Sequence, residues 1–169
     1  TWGCTGNRLY RSRGNGTFED VTTQLGVRDA GWGWGPTLFD ADLDGDLDLA
    51  AANGYSLPFD DPRLATYALA AEEYAAVPVR LWRNDPGGPW PDVAEAANLI
   101  DTLETRNVLP FDADNDGDLD LLTIHNREAP RLWLSEPAAD RRGVRIRVDD
   151  PTRHNGLNAR LAITPRDGD

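Results

Sequence analysis

One stretch of the sequence, residues 39–55, reads FDADLDGDLDLAAANGY and sets five aspartates at alternate positions around a glycine. A second stretch, residues 111–126, reads FDADNDGDLDLLTIHN and repeats nearly the same pattern. Five carboxylates within nine residues repel one another, whereas a turn needs only one or two such side chains. Both stretches therefore predict cation sites, with an acidic, solvated turn that binds no metal as the alternative.

Each stretch has aspartate at loop positions 1, 3, 5 and 9 and glycine at position 6. Such a loop wraps carboxylate oxygens around a hard cation, and glycine allows the sharp turn. At position 7, Asp46 and Asp118 are predicted to offer backbone carbonyls and to point their side chains elsewhere. The predicted side-chain ligands are Asp40, Asp42, Asp44 and Asp48 in the first loop and Asp112, Asp114, Asp116 and Asp120 in the second.

The ion predicted for both loops is Ca²⁺, one in each. An EF-hand needs a bidentate glutamate at position 12, where this sequence has Ala51 and Thr123, and strands follow in place of helices. Asp48 and Asp120 are therefore the expected closing carboxylates. Magnesium demands a tighter octahedral geometry and usually keeps several waters, which favours calcium.

Outside the two loops the charge is balanced. The chain has 169 residues and a net charge of -12, but ten of its 29 acidic residues lie in the loops, which leaves 19 against 17 basic residues. No basic run is present to bind nucleic acid, and no apolar run approaches the roughly 20 residues that span a bilayer. The acidity is therefore local, as expected for two cation sites.

The ends and the single cysteine carry less information. Because the sequence lacks methionine and opens TWGCTGNRLY, we expect that it is not an untouched translation start. Cys4 has no internal disulfide partner and is either a small buried thiol or a partner for an external one.

The chain repeats itself. A shift of 72 residues superposes the two acidic stretches and also lays LYRSRGNGTFEDV, residues 9–21, on LWRNDPGGPWPDV, residues 81–93. A repeat of about 50 residues with four short strands is typical of a propeller blade. The predicted fold class is therefore all-β, with about two blades in residues 1–140, an inserted helix at 62–76, and the start of a separate β-module at 141–169.

The motifs in this order resemble a known family. NRLYRSRGNGTFEDVTTQLGV, GWGWG and the first acidic stretch are similar to the FG-GAP and VCBS repeats of integrin-type β-propellers. Their order, followed by LWRN, resembles the ASPIC/UnbV (cartilage acidic protein-like) family, whose closing module is similar to RHNGLNARLAI, residues 153–163. The resemblance implies calcium-stabilised blades and export to an extracellular, cell-surface or periplasmic location. It also implies protein or glycan partners, together with the remaining blades of the same propeller or a neighbouring subunit.

Catalytic candidates are few. His125 takes the place of Asn53 in the other repeat, where it can cap a strand end or line the propeller mouth, and His154 is expected in an exposed loop. Trp32 and Trp34 form either a sugar-stacking platform or core packing beside close-approach glycines. No nucleophile elbow, phosphate loop or zinc cluster is present.

The sequence therefore predicts a calcium-binding scaffold or adhesion surface without catalytic activity. Two alternatives remain open at this point: an accessory or catalytic module of a carbohydrate-active enzyme, and a structural subunit of a surface or periplasmic assembly. Fold alone does not choose among them.

Overall fold

The computed structural model describes residues 6–55, 74–136, 143, 146–148 and 160–162. These residues form eight short strands and one helical turn. In chain order the elements are β1 Tyr10–Ser12, β2 Phe18–Asp20, α1 Thr22–Leu25, β3 Pro36–Phe39, β4 Asp48–Ala51, β5 Arg80–Trp82, β6 Thr105–Phe111, β7 Asp120–His125 and β8 Arg131–Trp133.

The strands form three antiparallel sheets in strict sequence order. The hairpin β1-β2 is followed by the sheet β3-β4-β5 and then by the sheet β6-β7-β8. An isolated bridge between Trp82 and Asp92 adds a fourth, outer segment to the second sheet. Successive four-stranded meanders are the blades of a β-propeller, so the predicted all-β fold with part of a propeller is confirmed.

The 72-residue repeat is also present in the hydrogen bonding. Val21 N–H donates to Leu9 O at 3.0 Å, and Val93 N–H, 72 residues on, donates to Leu81 O at 2.7 Å. The hairpin β1-β2 therefore corresponds to β5 and the segment at Asp92. The described residues contain the outer half of one blade, a complete second blade and three strands of a third.

Strand β4 lies at the centre of the packing because both of its faces are buried. Leu49 and Ala51 pack on one side with Trp82, Val21 and Leu25, and Ala50 and Ala52 pack on the other side. The second side also contains Phe39, Leu81, Val108 and Leu121, which come from the second and third blades. Side chains alternate along a strand, so the short alanine-rich sequence after the first loop serves two neighbouring blades at once.

The helical turn α1, Thr22–Leu25, was not predicted from the sequence. Thr22 N–H donates to Asp20 Oδ1 at 3.0 Å, and Gly26 ends the turn in the left-handed region with φ of 73°. Four residues are too short to show helical periodicity, so only the glycine at the C-terminal end could have indicated this turn.

Two predicted regions lie outside or almost outside the described residues. The helix predicted at 62–76 is described only at 74–76, and the module predicted at 141–169 only at 143, 146–148 and 160–162. In the described part of the chain, no helix has the length and apolar character needed to cross a bilayer.

Candidate metal centres in two acidic hairpins

The two acidic stretches occupy equivalent hairpins. Residues 40–47 join β3 to β4, and residues 112–119 join β6 to β7. Phe39 pairs with Asp48 at the base of the first hairpin, and Phe111 pairs with Asp120 at the base of the second. All ten aspartates predicted from the sequence therefore lie within or at the base of these two loops.

At positions 4 and 6 of both loops the backbone is in the left-handed region. Leu43 and Asn115 at the fourth position have φ of 58° and 69°, and Gly45 and Gly117 at the sixth have φ of 92° and 102°. Two left-handed residues on either side of position 5 turn the chain sharply, and the aspartates at positions 1 and 3 lie close together in both loops. Glycine meets this demand without strain, Asn115 with little, and Leu43 at a larger cost.

Hydrogen bonds within the first loop wrap the backbone around Asp40. Its Oδ1 accepts from Asp44 N–H at 3.0 Å and its Oδ2 from Gly45 N–H at 3.0 Å. Asp44 Oδ1 in turn accepts from Asp46 N–H at 2.9 Å. In the second loop, Asp116 N–H donates to Asp114 Oδ1 at 3.2 Å. The aspartates thus shape the turn itself.

Asp48 braces the first loop against the third strand of its blade. It is 1% exposed, and its Oδ2 accepts from Ala41 N–H at 2.8 Å while its Oδ1 accepts from Asn84 N–H at 2.8 Å. Burial raises the pKa of Asp48, and these two hydrogen bonds act in the opposite direction. Asp48 therefore holds the start of the loop to the residues that follow β5.

Asp120 makes the same brace in the second loop. Its Oδ2 accepts from Ala113 N–H at 2.7 Å and its Oδ1 from Ser135 N–H at 2.9 Å. Like Asp48, it is 1% exposed. The sequence predicted Asp48 and Asp120 as closing ligands. In the structure each of them accepts two backbone hydrogen bonds, which hold the start of its loop to the residues after the third strand of its blade.

Three carboxylates converge in each loop. One oxygen from each of Asp40, Asp42 and Asp48 lies within 4.8 Å of the other two, and the same holds for Asp112, Asp114 and Asp116. Calcium–oxygen distances of about 2.3–2.6 Å allow one ion to touch three oxygens at such separations. The structure therefore brings most of the predicted ligands together in two groups that can hold a metal ion.

The two loops differ at position 7, where the second loop has a buried carboxylate. Asp118 is 2% exposed, and neither of its carboxylate oxygens has a hydrogen-bond partner in the part of the chain that the structure describes. Burial, followed by the neighbouring Asp116 and Asp120 carboxylates, raises the pKa of Asp118 to about 6. Its counterpart Asp46 is exposed. A buried carboxylate without a partner is costly, and a cation is one way to remove that cost.

The opposite end of the blades is rich in aromatic side chains. Trp32, 39% exposed, stacks on Tyr55 with ring centroids 4.2 Å apart and meets the edge of Tyr74 at 5.6 Å. Trp34 donates from Nε1 to Gly54 O at 2.8 Å and carries the Arg106 guanidinium 4.3 Å above its ring. These rings mostly pack against protein groups, and the two tyrosines flank residues 56–73.

His125 is buried in the third sheet. Its Nε2 lies 2.8 Å from Oδ2 of Asp101, a residue that the sequence did not single out. The 72-residue repeat could have indicated it, since Asp29 stands at the equivalent place. Gly31 N–H donates to Asp29 Oδ1 at 3.2 Å, and Leu103 N–H donates to Asp101 Oδ1 at the same distance.

Fold and site together define part of a β-propeller whose blades carry acidic, potentially metal-binding hairpins. Comparison with protein families agrees with this class, because residues 2–51 match the model of the FG-GAP-like repeat. The matched segment includes β1, β2, α1, β3, the first acidic loop and β4. No curated protein matches the sequence. This part of the chain is thus similar to integrin-type propeller repeats, which typically serve as interaction modules without catalytic activity.

Proposed function

We propose that the chain is a calcium-binding interaction part of a β-propeller, without catalytic activity, in an exported protein of the ASPIC/UnbV type. The observation that carries the calcium proposal is the convergence of three carboxylates in each loop, with one oxygen from each lying within 4.8 Å of the other two. A divalent cation would offset the repulsion among these carboxylates and, in the second loop, the cost of the buried Asp118 charge two residues from Asp116.

The proposed ligand sets follow from the two hairpins. In each loop the aspartates at positions 1 and 3 are joined by a third carboxylate, from Asp48 in the first loop and from Asp116 in the second. Oxygen-only ligands on a flexible loop suit calcium better than magnesium. Loops of this kind reach useful occupancy at the millimolar calcium found outside cells, which supports an extracellular, cell-surface or periplasmic location.

The test is a thermal unfolding curve of the whole chain in excess chelator and across a calcium titration. If the native state binds calcium, the midpoint climbs with calcium concentration, since a ligand at 100 times its Kd stabilises by about 2.7 kcal/mol. A well-folded chain with an unmoved midpoint and no retained metal would overturn the proposal.

Matched variants make the test specific. Asp114→Asn removes a converging carboxylate, and Glu95→Gln removes one negative charge at an exposed residue outside both loops. We expect Asp114→Asn to reduce the calcium-dependent rise in midpoint and Glu95→Gln to leave it unchanged. Equal rises in both variants would assign the calcium effect to general charge screening.

The proposed partners include further blades of the same propeller or a neighbouring subunit. Leu109, Leu122 and Leu132 face one another across the third sheet, and Leu109 and Leu132 are exposed. At the other end, a cavity of about 290 Å³ separates the first hairpin from β3 and is lined by Leu9, Leu38 and Leu49 among others. Exposed apolar side chains that lie next to one another favour association. Light scattering of this chain and of a longer parent would test it, since we expect only the former to self-associate.

The same faces support the second reading, a structural subunit of a surface or periplasmic assembly. Stable co-purification of this chain with other subunits would favour that reading over a self-contained propeller.

Residues 141–169 are proposed as the start of the closing β-module that the ASPIC/UnbV resemblance implies. Limited proteolysis that cuts near residue 141 and leaves residues 1–140 intact would support this boundary.

A third reading, a carbohydrate-active enzyme or its accessory module, rests on Trp32, which keeps 39% of its surface exposed beside a stacked tyrosine. Sugars stack on exposed aromatic faces, and the proposed partners include glycans. Polysaccharides would be screened for cleavage and for quenching of tryptophan fluorescence. Quenching that Trp32→Ala abolishes, without cleavage, would indicate glycan binding, whereas cleavage would indicate an enzyme.

A further inference from the structure

A buried contact between a histidine and an aspartate lies at the end of the third sheet opposite the acidic loop. Nε2 of His125 is 2.8 Å from Oδ2 of Asp101, and both side chains are fully buried. The other ring nitrogen, Nδ1, lies 2.7 Å from the carbonyl oxygen of Ala129. A carbonyl oxygen can only accept, so Nδ1 must carry a hydrogen.

The groups around Asp101 show that its carboxyl is ionised. Oδ1 accepts from Leu103 N–H at 3.2 Å and from the Arg131 guanidinium at 3.4 Å, and Oδ2 accepts from the Thr123 hydroxyl at 2.6 Å. Every group in contact with this carboxylate other than Nε2 is therefore a donor.

With Nδ1–H fixed by Ala129, a neutral ring would aim the lone pair of Nε2 at a carboxylate oxygen 2.8 Å away. Two acceptors at that distance repel, and burial strengthens the repulsion. We propose that His125 is doubly protonated at neutral pH and that its Nε2 proton is a pH-sensitive latch between the second and third blades. The stability that the latch contributes is present at lower pH and is lost as the pH rises and the proton leaves.

The latch acts on the junction between the blades through the segment before β6. Asn126 N–H donates to Glu104 O in that segment at 2.9 Å, and Thr105 N–H, at the first residue of β6, donates to Asn53 O at 2.8 Å. Gly54 packs so closely on this segment that an added Cβ would come within 2.7 Å of Leu103 O. Release of Asp101 would therefore loosen the end of β4, which leads into the aromatic group around Tyr55.

In the first repeat, the position equivalent to His125 is occupied by Asn53, which has no titratable group. Asn53 Oδ1 accepts from Trp32 N–H at 2.9 Å and from Gly33 N–H at 3.3 Å, and its amide nitrogen donates to Ala30 O. The amide has no titratable group, so these bonds do not depend on the protonation of the side chain. His125→Asn therefore tests the proposal with the side chain that the chain itself uses at the equivalent position.

Few other groups near the latch change charge between pH 7 and 9. Arg131 contacts Asp101, and beyond Asn126 lies the ion pair between Glu104 and Arg106. Arginine and glutamate side chains are ordinarily charged throughout that range. The sequence has no lysine, and besides His125 only His154, Cys4 and the chain terminus ordinarily titrate near it.

The first test reads the protonation state directly. The sequence contains two histidines, so ¹⁵N chemical shifts of the imidazole rings in the whole chain can be assigned with a His154→Asn variant. At pH 7 we expect two protonated nitrogens on His125, with slow exchange of both hydrogens. One protonated and one bare nitrogen at pH 7 would overturn the proposal, and this measurement does not depend on whether a His125 variant folds.

The second test measures the consequence for stability. Thermal midpoints of the chain and of His125→Asn would be compared from pH 7 to 9 at constant calcium, above the range in which Asp118 titrates. We expect the midpoint of the unsubstituted chain and of His154→Asn to fall by about 3 °C or more, and that of His125→Asn to stay level. Parallel curves for all three proteins would refute a latch at His125.

Discussion

The two acidic hairpins have the same backbone but treat one aspartate differently. Both turn through left-handed residues at positions 4 and 6, and both are braced by a buried aspartate at position 9. At position 7, however, Asp46 is exposed, whereas Asp118 is buried without a hydrogen-bond partner among the described residues. The local sequence therefore sets the loop conformation, and the surroundings set the electrostatic cost of each carboxylate.

The two repeats also differ at the end of the blades opposite the loops, where equivalent positions hold different side chains. Asn53, two residues after β4, and His125, the last residue of β7, occupy equivalent positions in the repeat, and both tie the chain to the segment before the first strand of their blade. One does so through neutral amide bonds and the other through a buried ionic pair. Repeats thus conserve the geometry of a contact within this chain while changing its dependence on pH.

The largest loss of stability is expected from replacing the buried aspartate at position 9, which both loops share. Asp48→Ala and Asp120→Ala each leave two backbone N–H groups without their acceptor, and each should lower the free energy of unfolding by about 3–5 kcal/mol. Urea denaturation of both variants in chelator measures it. Because the brace is the same in both loops, losses that differ by more than a factor of two would break the comparison.

The next largest change in stability is expected at position 7, where the two loops differ. In chelator at pH 7, Asp118→Asn should raise the free energy of unfolding by about 2 kcal/mol because it removes a buried charge, whereas Asp46→Asn should change it by less than about 0.5 kcal/mol. In excess calcium we expect Asp118→Asn to be the less stable of the two. If the variants behave alike in both conditions, the burial of Asp118 has no energetic consequence.

The pH dependence of the metal-free chain sharpens the same contrast. Since the folded-state pKa of Asp118 is raised to about 6, the folded chain binds the proton more tightly than the unfolded chain, and stability falls as the pH rises from about 4 through 6. The stability gained by Asp118→Asn should therefore be near zero at pH 4 and should reach about 2 kcal/mol at pH 7. A gain independent of pH would contradict a titrating carboxylate.

The smallest effect concerns position 4. Leu43→Asn should stabilise the chain by about 0.5–1 kcal/mol because asparagine tolerates φ of 58° better than leucine, and Asn115→Leu should destabilise it by a similar amount. Urea denaturation under identical calcium conditions measures both changes. Two shifts of the same sign would show that side-chain contacts, and not backbone strain, dominate at this position.

Much of the fold could be predicted from the sequence because repetition and alternation are local signals. The 72-residue shift located equivalent strands, and the alternation at Leu47, Leu49 and Ala51 located β4. The helical turn Thr22–Leu25 was missed because four residues carry no periodicity. Asp101 was missed because its partners, Thr123 and His125, are more than 20 residues away in the chain.

The sequence by itself determined the acidic loops, their glycines and the blade repeat, because turns and strands depend on neighbouring residues. Only the tertiary structure decided that Asp118 is buried while Asp46 is exposed, and that His125 meets a carboxylate while Asn53 meets backbone groups. Burial and ion pairing depend on which distant segments pack together. The charge state of a side chain in this protein is therefore a property of the assembled blades.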